Sequence, residues 1–436
     1  MTQPLLRVGT LLLAVAILLT GHGLQLTLLP MRADLLGWST GAIGLTGSAY
    51  FLGFVIGCLQ IPTIVSTVAH IRTFMVMAAI ATIALLGTGV FETVGAWMLL
   101  RFCTGFAFSG LYMVIESWIG ETTPSDYRGR VLAVYAMISL LAMVVGQTLL
   151  GLSHADDPRL LIGGAMILAL AIIPIGLTRM PAPPAISQPR VSFRVLARAS
   201  RVAVIGVLFG GLVTGGLWAV GPVVGRSLGL DPAGIGLMMS APLIGGALAQ
   251  FPLGRLSDRM DRRNVIAGLF CFGAFVGLAG SQFASTSPTI LYVAMLFVGA
   301  TSFPLYALCV ATASDGPDLS MLQSTSSILI MNSIGSVLGP LIIAPFIGYY
   351  GGVGFFLFAA VCMVLGAAWS VYRIRRVERP SQHEHRFQAV PKTSVVVAEL
   401  VTDEPVPAPH APAVVSSPGD EDAYPGDDDV DVRERA

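Results

Sequence analysis

The sequence predicts an all-α membrane protein: twelve transmembrane helices in two pseudo-symmetric six-helix bundles, followed by a disordered acidic C-terminal tail. Three observations carry this prediction. The 436-residue chain is 54% hydrophobic and only 11% charged, with a mean hydropathy of +0.78, whereas a water-soluble globule carries about 25% charged residues. Uncharged apolar runs recur along it, each close to the roughly 20 residues needed to cross about 30 Å of hydrocarbon. Two stretches 192 positions apart also repeat one another.

In chain order the spans fall at 6–30, 39–64, 72–91, 95–120, 130–152, 159–179, 202–226, 232–255, 264–284, 288–312, 321–349 and 352–375. The first, "VGTLLLAVAILLTGHGLQLTLLP", follows Arg7 as the core of a signal peptide would. No small-x-small cleavage site follows it, so it reads as a retained helix. Pro174, Pro222, Pro242, Pro304 and Gly335 lie inside spans, which membrane helices tolerate better than soluble ones. The five cysteines (58, 103, 271, 309, 362) are odd in number, sit in apolar runs and form no CxxC. They read as small core residues, not as a disulfide or metal framework.

Arginine sets the orientation. With the N-terminus inside, inner loops and flanks up to residue 379 hold 17 arginines, and outer loops hold three: Arg32, Arg159 and Arg226. This is a positive-inside bias, and both termini are expected in the cytoplasm. The inner loop 180–201 is Pro-rich and then basic. It reads as a linker along anionic headgroups, dividing an N-terminal bundle (1–179) from a C-terminal one (202–376). Residues 377–436 hold 13 acids, 5 bases and eight prolines, a composition expected to stay disordered.

The halves are related. "LGWSTGAIGLTGSA" (36–49) matches "LGLDPAGIGLMMSA" (228–241), and Pro30 matches Pro222. A second echo, at offset 194, sets Gly105, Leu111, Tyr112 and Glu121 against Gly299, Leu305, Tyr306 and Asp315. Two like units in one chain are the pattern of a duplicated transporter.

"GRLSDRMDRR" (254–263) carries six charges in ten positions, between spans eight and nine on the inner side. Its arginines hold topology, but Asp258 at a helix exit opposes the dipole unless it is paired. The pattern Gly254-x-x-x-Asp258-Arg259-x-x-Arg262-Arg263 resembles the inner-loop signature of the major facilitator superfamily. That resemblance covers roughly 1–376 and implies a charge cluster that holds the inner gate shut. Asp258 would be its hub, Arg259 and Arg262 its clamps, Asp315 a further member, and Gly254 a point of close helix contact. Asp261 stands where the family has Gly, which puts the turn in question. The first half reads "GCLQIPTIVSTVAHIR" (57–72) at the equivalent place; aligning Gly57 with Gly254 sets Ile61 where the Asp would be, and implies an asymmetric gate. "GCLQIP", "HIR", "IESW" and "FPLY" are similar to the bacterial permease subgroup called YcaD-like.

Arg101 and Glu116 are the ionisable residues inside span four, where a buried charge is functional or paired. "RFCTGFAFSG" resembles the family's span-four pattern linked to proton coupling, so Arg101, Glu116 and the titratable His22 are candidates for it. Fifteen residues, about 22 Å of helix, separate Arg101 from Glu116, which rules out a direct pair. Glu116 is expected nearer Arg128 or Arg130. The substrate-cavity candidates are Gln25, Tyr50, Tyr112, Gln147, Trp218, Tyr306 and Asn332, with Gln250 beside them. The resemblance places spans 1, 4, 7 and 10 on the cavity, which favours His22, Gln25, Tyr112, Trp218 and Tyr306. "GSVLGP" (335–340) suits close helix packing. The family's antiporter pattern belongs in span five, where this chain has "GQTLLG" (146–151), so antiport gains no support.

No nucleotide loop, HExxH, GxSxG or metal constellation is present in the sequence. No enzyme activity, cofactor, metal or nucleic-acid partner is expected. The reading is a monomeric secondary transporter in the cytoplasmic membrane, moving a small solute by alternating access with a coupling proton. The alternative is a non-transporting membrane receptor or regulatory scaffold of the same fold.

Overall fold

The computed structural model describes residues 2–178, 200–314 and 321–376. Asp315, the tail from 377 and most of the 180–201 linker lie outside the described residues. Helices account for nearly all of the rest: α1 (Thr2–Leu35), α2 (Thr40–Val68), α3 (His70–Val90), α4 (Val94–Thr122), α5 (Ser125–Thr148), α6 (Pro158–Gly176, with a turn at Ala171), α7 (Arg201–Ser227), α8 (Pro232–Arg259), α9 (Arg262–Phe283), α10 (Pro288–Ser314), α11 (Met321–Tyr350) and α12 (Gly354–Arg376). Among the described residues eleven stretches are long and apolar enough to cross a membrane. The last of these, Ile328–Arg376, runs for 49 residues and is divided by a tight turn at Gly351–Val353 into α11 and α12. Large apolar side chains face outward along the helices, with Ile83, Met166 and Phe275 each about two-thirds exposed (66%, 67% and 64%). In water that surface would drive aggregation; in lipid it is the solvated face.

Helix starts are written in short polar residues. The Ser39 hydroxyl accepts from the Ala42 amide at 3.2 Å to begin α2, and the Asp231 carboxylate accepts from the Gly234 amide at 2.9 Å to begin α8. Such side chains satisfy amides that have no partner within the helix. The turns before them use Gly37 (φ 77°) and Gly229 (φ 85°), backbone in which glycine is the default. These four residues belong to the repeat at offset 192, so the repeated sequence is a repeated turn.

Within each half the same helices touch through glycine. A Cβ on Gly105 of α4 would collide with the Tyr50 carbonyl of α2, and one on Gly53 with the Phe102 carbonyl. In the second half Gly299 meets the Pro242 carbonyl and Gly245 the Leu296 carbonyl. The pairing recurs between α1 and α5, where Gly23 meets Met143 and Gly146 meets Thr20. Its counterpart joins α7 to α11, where Gly215 meets Ser336 and Gly339 meets Leu212. Every member of the first set maps onto the second with an offset of 192 to 194 residues. Small residues let helix backbones approach closely where no hydrophobic force drives them together.

The two halves touch through α1 with α7, α2 with α7 and α11, and α5 with α8. The resolved contacts lie toward one end of these helices, opposite the end that carries Arg72, Arg201, Arg262 and Arg376. Asp34 of α1 pairs with Arg226 of α7. The Ser48 hydroxyl of α2 donates to the Val337 carbonyl of α11 at 2.7 Å. The Ser240 hydroxyl of α8 donates to Gln147 Oε1 of α5 at 3.1 Å. Gly44 lies against the Pro340 carbonyl and Gly236 against the Gln147 carbonyl, again a symmetric pair of contacts.

Candidate functional site

A buried polar cluster sits where α1, α2 and α4 meet. His22, Gln25, Tyr50 and Arg101 are each at most 5% exposed. The Gln25 amide nitrogen lies 3.4 Å from His22 Nδ1, and the Tyr50 hydroxyl lies 3.3 Å from His22 Nε2. The imidazole stacks on Phe108 of α4, with ring centroids 3.7 Å apart, and Tyr112 meets it edge-on at 6.4 Å. The Arg101 guanidinium lies over the Tyr50 ring at 4.6 Å. The spacing explains the convergence: the Gly53 and Gly105 crossings bring α2 and α4 together beside Tyr50 and Arg101. Five sequence candidates, His22, Gln25, Tyr50, Arg101 and Tyr112, thus gather in one place.

The others are dispersed. Glu116 is fully buried in α4, and its carboxylate accepts from the Tyr135 hydroxyl of α5 at 3.0 Å. Gln147 lies on the contact between halves, bonded to Ser240. Trp218 of α7 stacks on Phe303 of α10, with centroids 6.2 Å apart and planes 15° apart. Tyr306 is buried in α10. Asn332 of α11 is buried where the Gly211 backbone crosses it. Sequence reasoning missed Tyr135, Phe108 and Ser240, whose residue types look like ordinary packing in apolar runs.

At the α8–α9 corner the geometry differs from the expectation in two respects. The buried centre is Arg262, 2% exposed, which donates to Asp258 Oδ1 at 3.4 Å and to the Ala311 carbonyl of α10 at 3.2 Å. Asp258 is one-third exposed, and Arg259 is exposed with no ion pair among the described residues. Asp261 does not adopt left-handed backbone. At φ −56° it caps α9, accepting from the Arg263 amide at 2.9 Å and pairing with the Arg263 guanidinium at 3.0 Å. An acid at this position therefore replaces the flexibility of glycine with a helix cap. Gly254 is buried.

The first-half corner also needs a correction. Helix α3 starts at His70 and α9 at Arg262, an offset of 192. Gly57 and Ile61 are therefore not the counterparts of Gly254 and Asp258; Pro62 and Ser66 are. His70 occupies the place of Arg262, and its Nε2 lies 3.3 Å from the Ser117 hydroxyl of α4. Ser117 and Ala311 are 194 residues apart, so the two corners make one and the same contact with different chemistry. The one residue between α2 and α3, Ala69, holds φ 74°, where the second half has a capping acid.

A model of the Major Facilitator Superfamily matches residues 11–223 and again 203–414. The chain belongs to the major facilitator superfamily. The chain is 27% identical over 369 residues to the uncharacterized MFS-type transporter YcaD of Salmonella typhimurium strain LT2, covering 83% of this chain and 94% of that one. It is 26% identical over 387 residues to the transporter of the same name in Escherichia fergusonii, covering 88% and 99%. Among solved structures, the nucleoside transporter NupG superposes with a TM-score of 0.68 at 15% identity, covering 86% of this chain and 99% of that one. A bacterial homolog of the human lysosomal transporter Spinster, inward-facing and occupied, gives 0.69 at 16% identity, covering 85% and 97%. At such identities the structural likeness speaks for the fold. The protein is thus a multi-pass membrane transporter of this superfamily, similar to YcaD.

Proposed function

We propose that this transporter carries a small solute across the cytoplasmic membrane by alternating access, coupled to protons through Glu116. It would use twelve crossings and keep both termini in the cytoplasm. The observation that carries the reading is the one-sided contact between halves. Asp34–Arg226, Ser48–Val337 and Gln147–Ser240 all join the ends that the 17-to-3 arginine bias puts outside. On the proposed orientation, these contacts among the described residues support a reading in which the exterior side is closed and the inner side open.

In the opposite state the inner ends must meet. Arg262 ties α8, α9 and α10 into one unit, with Asp258 paired to it at 3.4 Å and Arg259 exposed beside them. Asp258→Asn keeps every topogenic arginine, so insertion stays normal. Removing one charge of a partly buried pair costs more than removing an exposed one. Asp258 already pairs with Arg262 in the present state, so only an extra contribution counts: if the outward-facing state draws about 1.4 kcal/mol more from this acid, its loss shifts the ratio about tenfold toward inward-open. Cysteine accessibility from the two sides, in a background without native cysteines, measures this directly. Unaltered accessibility together with normal flux would reduce the decapeptide to a topology signal. Coupling is tested separately in proteoliposomes: Glu116→Gln abolishes uptake driven by a pH gradient and leaves exchange intact, and unchanged pH dependence removes Glu116 from the mechanism.

A further inference from the structure

The buried cluster at α1, α2 and α4 is rich in donors and lacks an acid. Arg101 is 4% exposed, and none of its guanidinium N–H groups meets a hydrogen-bond acceptor or a carboxylate among the described residues. Its one partner is the face of Tyr50. Removing a guanidinium from water costs free energy that a single aromatic face recovers only in part. Glu116 cannot supply the missing charge, because it lies four helical turns further along α4, bonded to Tyr135.

The neighbouring hydrogen bonds add a second donor. The Gln25 side-chain amide lies 3.4 Å from His22 Nδ1 and the Tyr50 hydroxyl 3.3 Å from Nε2, so the position of the single imidazole proton sets both bonds. In the tautomer with that proton on Nε2, the ring donates to the Tyr50 oxygen and the hydroxyl proton is left for a bound group. In that tautomer a hydroxyl donor lies beside the cationic fork of Arg101, with the unpartnered Gln25 Oε1 on the far side of His22 and Phe54, Phe108 and Tyr112 around them. A guanidinium fork matches a carboxylate bidentately.

We infer that Arg101 and Tyr50 form an anion-binding subsite, and that the solute carried by this protein is an organic monocarboxylate with an apolar body. The carboxylate would bridge the guanidinium and the Tyr50 hydroxyl, with the body against Phe108 and Tyr112. This rests on the transport reading above, and its test is kept separate from that of transport.

The full-length protein in detergent is titrated with acetate, lactate, phenylacetate and benzoate, each beside its neutral amide, at ionic strength held constant with sodium chloride. Thermal stability is the readout. The expected result is saturable stabilisation by an acid of the series and none by its amide. Arg101→Lys, which keeps the charge without the fork, weakens that response about tenfold, and Arg101→Gln removes it. The Lys variant serves where the Gln variant fails to fold. Equal response to acid and amide, equal stabilisation by chloride alone, unchanged binding in either variant, or no response to any acid overturns the assignment. In proteoliposomes, carriage of a neutral or cationic solute but of no carboxylate overturns this inference and leaves transport standing. Binding that depends on Arg101, without flux, does the reverse.

Discussion

Tyr135 shows what one hydroxyl can do in an apolar interior. It gives the Glu116 carboxylate a donor from a neighbouring helix at 3.0 Å, and a hydrogen bond to a charged group is worth about 1.5–3 kcal/mol. Tyr135→Phe is therefore expected to lower thermal stability by about that amount and to shift the pH dependence of uptake. Stability of the variant equal to the parent would mean that the Tyr135 bond adds nothing to the other interactions of Glu116. Glu116 was legible in the sequence because a charge in an apolar run stands out. Tyr135 was not, since it lies 19 residues away on a helix whose rotation no local pattern reveals. Arg262 shows the opposite failure: its charge was read as topological and as a clamp, while its burial, which makes it the centre of the corner, follows from the α8–α9 angle and from the Ala311 carbonyl on a third helix.

Helix crossings set the next scale. Gly105 and Gly299 occupy equivalent points, and a methyl on either would strike a carbonyl of the facing helix. Gly105→Ala and Gly299→Ala are each expected to destabilise by about 1–3 kcal/mol, the usual cost of overpacking. Gly268 on α9 has open space around its Cβ direction, so Gly268→Ala is expected to be neutral or to stabilise by up to about 1 kcal/mol. Melting of the three purified variants checks the order, and an equal loss at all three sites would refute the argument. The repeat at the starts of α2 and α8 was visible because identical residues align without gaps. The α1–α5 crossing was not, since Gly23 and Gly146 sit on separate helices and form no motif together. The α2–α3 corner was misread because a retained glycine, Gly57, is a weak anchor. The helix starts, fixed by capping and turn geometry, give the true register and bring His70 opposite Ser117. His70→Ala leaves that hydroxyl without its partner and is expected to cost about 1 kcal/mol without altering solute affinity. Changed affinity would tie this corner to the solute site.

At the scale of the whole molecule, function depends on how two bundles meet. The fold class was legible from composition, periodicity and repeat; which ends of the helices touch was not, because apolar helix faces look alike at both ends. The Asp34–Arg226 pair is partly exposed, with side chains 25% and 40% accessible, so it is worth about 0–1 kcal/mol. Asp34→Asn is expected to raise the share of molecules open on that side by a factor of at most about five. Spin-label distances between the outer ends of α1 and α7 measure it, and a shift toward inward-open would contradict the assignment.

Asp34 and Arg226 are 192 positions apart and so occupy the same point of the duplicated unit. A point that touches its own counterpart lies beside the axis relating the two copies. In an ancestor made of two identical chains, that point would have set like against like, acid to acid or base to base. Attraction there requires the two copies to differ at this point. The ion pair is thus a place where the two halves are not interchangeable: the first must bring the acid and the second the base.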